Sequence, residues 1–130
     1  MDLCEWTKIY LKQRDLHRRA IASLEKTTKG FTIVTKDGGQ QEVVVQETLA
    51  PATARIIVCL NTRQNVDVLV RKWRDFTQEP DLLLVFANPV TNEKWLLKPH
   101  HHDKVADEES LKQGLLAMYE AITSARTQNT

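Results

Sequence analysis

The stretch "ARIIVCL", residues 54 to 60, is apolar almost from end to end. A strand that is apolar on both faces belongs in the interior of a sheet, because a strand with one wet face alternates with polar residues. This segment requires strand neighbours on both sides, and the rest of the chain has to supply them.

Several segments can do so. In "FTIVTKDGGQQEVVVQE", residues 31 to 47, Phe31, Ile33 and Thr35 alternate with Thr32, Val34 and Lys36 as in a half-buried strand. "DGG" tolerates positive φ, so a hairpin returning through Glu42–Gln46 is the natural reading. "DLLLVFANP", from residue 81, reads as a further strand, "VTNE" as a turn and "KWLLKP" as a fifth strand. The longest apolar run, "LLLVFA", is too short to cross a bilayer.

Between and around these lie helical periods. Over residues 3 to 26, Trp6, Ile9, Tyr10, Leu16, Ala20, Ile21 and Leu24 recur at spacings of three and four, the stripe of one amphipathic helix. Gly30 is placed to end it in the left-handed conformation. From Asn65, the residues Val66, Leu69, Val70, Trp73 and Phe76 form one face of a second helix, entered through a cap at Asn61 or Thr62 and stopped before Pro80. Trp73 and Phe76 are expected to be buried against the sheet. Asp107 stands where an N-cap belongs, with Leu111, Leu115, Met118 and Ile122 continuing a last helix and Leu115 and Met118 expected in the core.

The order reads α-β-β-β-α-β-β-α. Short loops between successive strands imply antiparallel pairing, so the expected fold is α+β, a single antiparallel β-sheet of about five strands backed by helices on one face. With 130 residues, 42% apolar and 27% charged, the chain can build one core. Residues 1–130 are expected to form one domain, with 121–130 a partly frayed polar tail.

Cys4 and Cys59 are the only cysteines and form no CxxC pattern, and "MDLCEWTKIYLKQRDLHRR" lacks the apolar stretch of a secretory signal. Both features point to a reducing, cytoplasmic setting. A net charge of +1 gives no global attraction to nucleic acid or to a membrane, so any basic surface must arise by local clustering.

The sharpest local feature is "PHHHDKVAD", residues 99 to 107. In an extended segment His100 and His102 point the same way, and Asp103 or Asp107 could complete a cation site. The ligand spacing matches no known metal signature, and a polar loop joining the fifth strand to the last helix, without metal, is the expectation. Pro80-Asp81 and Lys98 also invite comparison with the PD-(D/E)XK nucleases. The residue two before Lys98 is Leu96, which cannot bind a cation, and Glu42 and Glu47 have no acid or lysine on the following strand to join. No serine nucleophile motif or glycine-rich phosphate loop occurs. A thiolate is disfavoured at Cys59, inside an apolar strand. Trp6, Trp73 and Trp95 sit in apolar patterns and read as core or interface anchors.

Lys8, Lys12, Arg14, Arg18 and Arg19 on the first helix, with Arg71 and Arg74 on the second, are the candidate binding residues. They form a phosphate-binding surface only if the two helices lie side by side. In its element order, over nearly the whole length, the chain is similar to class I type III secretion chaperones. That resemblance implies a small cytosolic homodimer that holds unfolded polypeptide segments. The expectation is accordingly a cytoplasmic, non-catalytic module that binds a polypeptide, as a homodimer, without cofactor or membrane contact. The alternative is a nucleic-acid-binding protein, including a nuclease-like fold with an incomplete active site. A metal-dependent hydrolase is third.

Overall fold

The computed structural model describes residues 1–102 and 107–125. Along the chain run α1 (Leu3–Arg18), β1 (Ile21–Lys26), β2 (Gly30–Thr35), β3 (Gln40–Val45), β4 (Ile56–Leu60), α2 (Arg63–Arg71), α3 (Trp73–Thr77), β5 (Leu83–Asn88), β6 (Glu93–Leu97), α4 (Pro99–His102) and α5 (Glu108–Glu120). The strands form one six-stranded sheet in the order β1-β2-β3-β4-β5-β6. No helix among the described residues is long and apolar enough to cross a membrane.

A single α+β sheet is as expected, but three features differ. The first is β1, where the apolar spacing predicts that the first helix continues. The helix ends because Asp15 captures the amides that would extend it. Its carboxylate accepts the N–H of Ala20 at 2.8 Å and of Ile21 at 3.2 Å, while Arg19 turns left-handed at φ 49° and donates its own N–H to the Asp15 carbonyl. Ile21 and Leu24 then lie in a strand whose register shifts between Ile21 and Ser23. The bulge adds one residue, so a spacing of three leaves both side chains packed on the same core. A bulged strand thus imitates helical period. Gly30 ends no helix; it opens β2, where a Cβ would lie 2.1 Å from the Val43 carbonyl oxygen.

The second difference is the direction of the central strands. β1-β2-β3 and β5-β6 pair antiparallel, but β4 runs parallel to both β3 and β5, so the sheet is mixed. Residues 46–55 and the α2–α3 pair carry the chain back across the sheet before each of these strands, which is what parallel pairing requires. The third difference follows. Helices cover both faces, so β4 and β5 are buried at every position. On one face, Leu3, Trp6, Tyr10 and Leu11 of α1 pack with Phe31, Ile33, Val43, Val58 and Val85. On the other, Val66, Leu69, Phe76 and Leu115 pack with Ile57, Cys59, Leu84, Phe86 and Trp95. Strand alternation divides the side chains between the two cores, and each fully buried large side chain stabilises by roughly 1.5–3 kcal/mol.

Turn and cap chemistry follows the sequence. In the β2–β3 hairpin Gly38 takes φ 91°, and the Asp37 carboxylate accepts the Thr35 hydroxyl and the Gly39 N–H. Thr62 caps α2 through the Asn65 N–H at 3.1 Å, and Asp107 caps α5 through the Ser110 N–H at 2.8 Å. The second helix breaks at Lys72, leaving Phe76 buried but Trp73 only half-buried. Met118, expected inside, is 42% exposed, because α5 turns Leu115 and not Met118 to the sheet.

The end of the described chain is pinned where fraying is expected. The Asn61 side-chain amide donates to the Tyr119 and Thr123 carbonyls, that of Asn88 to Thr123 and Ser124, and the Ala125 N–H to the Asn61 carbonyl. Asn61 also accepts the Trp95 indole N–H at 2.8 Å. These two asparagines, at the ends of β4 and β5, fasten residues 119–125 over the strands.

Candidate functional site

The histidines come first. The segment expected to be an extended loop is a one-turn helix, α4, so His100 and His102 do not share a direction as they would in a strand. His100 Nδ1 lies 2.8 Å from the Thr77 carbonyl oxygen, tying α4 to α3. His102 Nδ1 lies 3.1 Å from the Lys98 carbonyl oxygen, one turn back. His101 is exposed. Asp103 lies outside the described residues. Among the described residues, no three His, Cys, Asp or Glu side chains converge to hold a metal.

The basic candidates divide between two surfaces. α1 packs on one face of the sheet, α2 and α3 on the other, so Lys8, Lys12, Arg14, Arg18 and Arg19 are separated from Arg71 and Arg74 by the sheet itself. Arg71 and Arg74 line a groove of about 760 Å³ with Lys72, Trp73, Leu111 and Glu108, between the break at Lys72 and the start of α5. Lys8, Lys12 and Arg19 are exposed. Arg14 and Arg18 turn toward the outer strands, where they line a small cleft with Thr35 and Gln41. Arg14 is half-buried, and burial holds its guanidinium below the ordinary arginine range, with Arg18 and Arg55 adding to the depression and Tyr10 opposing it.

Arg55 is the residue that sequence reasoning missed. It precedes the apolar strand β4, and nothing in the linear pattern brings it near α1. Its only ion pair among the described residues is with Asp81, at 3.7 Å between two exposed side chains. Asp81 itself precedes β5 and faces Arg55, and Lys98 follows β6, so the comparison with nuclease motifs gains no second acid here. Cys59 is fully buried, and burial pushes its thiol well above the ordinary value, disfavouring a thiolate.

The sheet edges make up the remaining surface. β6 pairs with β5 in unbroken register from Glu93 to Leu97, and among the described residues nothing pairs with its outer side. Trp95 and Leu97 point into the core, 4% and 5% exposed, while Leu96 on the opposite face is 44% exposed. Trp95 stacks on Phe86 with ring centroids 4.2 Å apart, so the strand is held rigidly from beneath. Lys94, also facing away from that core, reaches over the Tyr10 ring, 5.5 Å from its centroid. An edge of this kind presents a regular row of backbone donors and acceptors beside an apolar side chain, which suits an added strand. Comparison of the chain with protein-family models, with curated proteins and with solved structures finds no match, so what is established of this site is its geometry.

Proposed function

We propose that the chain is a non-catalytic binding module that takes an extended polypeptide segment on the outer edge of β6. The observation that carries this reading is the contrast between a regular, rigidly backed edge and the exposed Leu96 upon it. Backbone hydrogen bonds supply affinity in such pairing, and the side chains facing out of the sheet supply selectivity. A second copy of the same edge, related by a twofold axis, meets these requirements by itself, so a homodimer joined through β6 is the form proposed. The resemblance to the secretion chaperones adds nothing to this, because it rested on an element order that β1 and the parallel strands replace. Cys4 and Cys59, neither of them in a disulfide, are consistent with a cytoplasmic location.

The test is sedimentation at micromolar concentration. Wild type is expected to run at twice the 14.9 kDa chain mass, and Leu96→Lys at the chain mass. A dimer that persists in the variant removes β6 as the interface, and a wild type that stays monomeric removes the homodimer. Nucleic-acid binding is the second reading, favoured by the cations of α1 and weakened by the separation of Arg71 and Arg74 from them. A mobility shift on mixed DNA and RNA that weakens steeply with salt would support it.

A further inference from the structure

We propose that the cleft between the C-terminal half of α1 and the outer strands binds a single oxyanion, a phosphate group either free or carried on a small molecule. The cleft holds about 100 Å³ and is lined by Arg14, Arg18, Thr35 and Gln41 over Leu11 and Ile33. That is roughly the volume of three waters, enough for one tetrahedral anion.

Its two guanidinium groups are held by no direct ion pair: among the described residues neither Arg14 nor Arg18 makes one, and the pairs present are Arg55–Asp81 and Arg63–Asp67. Asp15 lines the cleft, but its carboxylate is turned to the N–H groups of Ala20 and Ile21, at 2.8 to 3.3 Å. Burial pushes the phenol of the neighbouring Tyr10 up, so at neutral pH it carries no charge. The half-buried Arg14 and the exposed Arg18 thus share one cleft with their planar donors free of ion pairs among the described residues. An oxyanion between them accepts those donors, with the Gln41 amide as a further donor.

The same surroundings argue against a nucleic-acid strand. Trp6 and Tyr10 stack on each other at 5.3 Å and are 4% and 7% exposed, so neither offers a face to a base.

The experiment is calorimetric titration of the full chain with inorganic phosphate and, separately, with ribose 5-phosphate, ionic strength being held constant with chloride. Saturable one-to-one binding is expected, weakened about tenfold or more in Arg14→Gln and in Arg18→Gln, as loss of charge-assisted hydrogen bonds requires. Arg71→Gln, on the other face, should bind as wild type does. Without phosphate, Arg14→Gln should melt no lower than wild type, since it removes like-charge repulsion. If that variant does not fold, Arg18→Gln decides. Tighter binding of the sugar phosphate identifies a small-molecule ligand, and equal or weaker binding identifies free phosphate. Absence of saturable heat with either probe, affinity unchanged in the arginine variants, or binding of single-stranded oligonucleotide alone would overturn the site.

Discussion

β1 and β6 both end the sheet, yet they are built in opposite ways. β1 is interrupted by a bulge between Ile21 and Ser23, exposes Ala22, Ser23, Glu25 and Lys26, and buries its apolar residues only partly. β6 is regular, rests on the stacked Phe86–Trp95 pair and exposes Leu96. Bulges and charges on an edge discourage pairing with another chain. β1 thus combines a bulge with charges, whereas β6 carries the charges of Glu93 and Lys94 but no bulge, so only β6 keeps a regular row of backbone groups at its edge.

The largest expected effect lies in the core beneath the edges. Trp95→Ala should cost about 3–5 kcal/mol, the usual range for deleting a buried large aromatic. Leu24→Ala on β1, half-buried, should cost about 1–2 kcal/mol, since little of its surface leaves water on folding. Urea unfolding of both variants measures the ratio, and equal losses would mean that β6 is no more firmly backed than β1.

Next is the asparagine that fastens β6 to the chain's end. Asn61→Leu leaves the Trp95 indole N–H without its acceptor and the Tyr119 and Thr123 carbonyls without this donor. An expected loss of about 1–3 kcal/mol follows from burying unsatisfied groups. Hydrogen exchange should report it locally as faster exchange at Ala125, whose N–H bonds to the Asn61 carbonyl. Full protection at Ala125 in the variant would show that the terminal segment is held by other means.

Third, Leu96→Lys should change stability by no more than about 0.5 kcal/mol, as an exposed substitution, while abolishing self-association. Ser23→Lys, on the bulged edge, should alter neither. If Ser23→Lys dissociates the dimer and Leu96→Lys does not, the roles of the two edges are reversed.

What could be read from sequence follows the same division. The β2–β3 hairpin, the central place of β4, the cap at Asp107 and the strands β5 and β6 all rest on local chemistry: positive-φ turn residues, unbroken apolar runs, a side chain that accepts amides. β1 was hidden because Ile21 and Leu24 keep helical spacing when a bulge shifts the register, and the stop signal was an acceptor, Asp15, rather than glycine or proline. The parallel pairing of β3 with β4 was hidden because the connection at 46–55 has no helix to announce a crossover, whereas the helix between β4 and β5 does announce one. The candidate arginines were legible as residues but not as a site. Arg14 and Arg18 share a cleft only because the chain turns at Arg19 and lays β1 and β2 beside the end of α1, which a continued first helix would not do. The histidines were legible as a cluster, and the helical turn then gave His100 and His102 different directions while His100 and His101 stay edge to face at 6.2 Å.

The smallest expected effect is in acid, and it separates β6 from the hairpin that follows the bulged edge and β2. Hydrogen bonds from the Thr123 and then the Thr91 side chain hold the Glu93 carboxyl, at the start of β6, below the ordinary range, and the Thr123 backbone N–H also donates to it. The Asp37 carboxyl, in the hairpin beyond β2, is lowered mainly by the Thr35 hydroxyl and next by the Gly39 N–H. For both groups the folded pKa lies below the unfolded one. Their contribution is present above the unfolded pKa and is lost as pH falls through the depressed folded value. NMR titration should therefore show the Thr123 and Gly39 amide protons shifting at midpoints below about 4.3 and 3.9, the values for free glutamate and aspartate. Glu93→Gln should abolish the Thr123 transition and leave that of Gly39 intact, and Asp37→Asn should do the reverse. If either substitution removes both transitions, the β2–β3 hairpin and β6 unfold together in acid, and the independence of the two regions is lost.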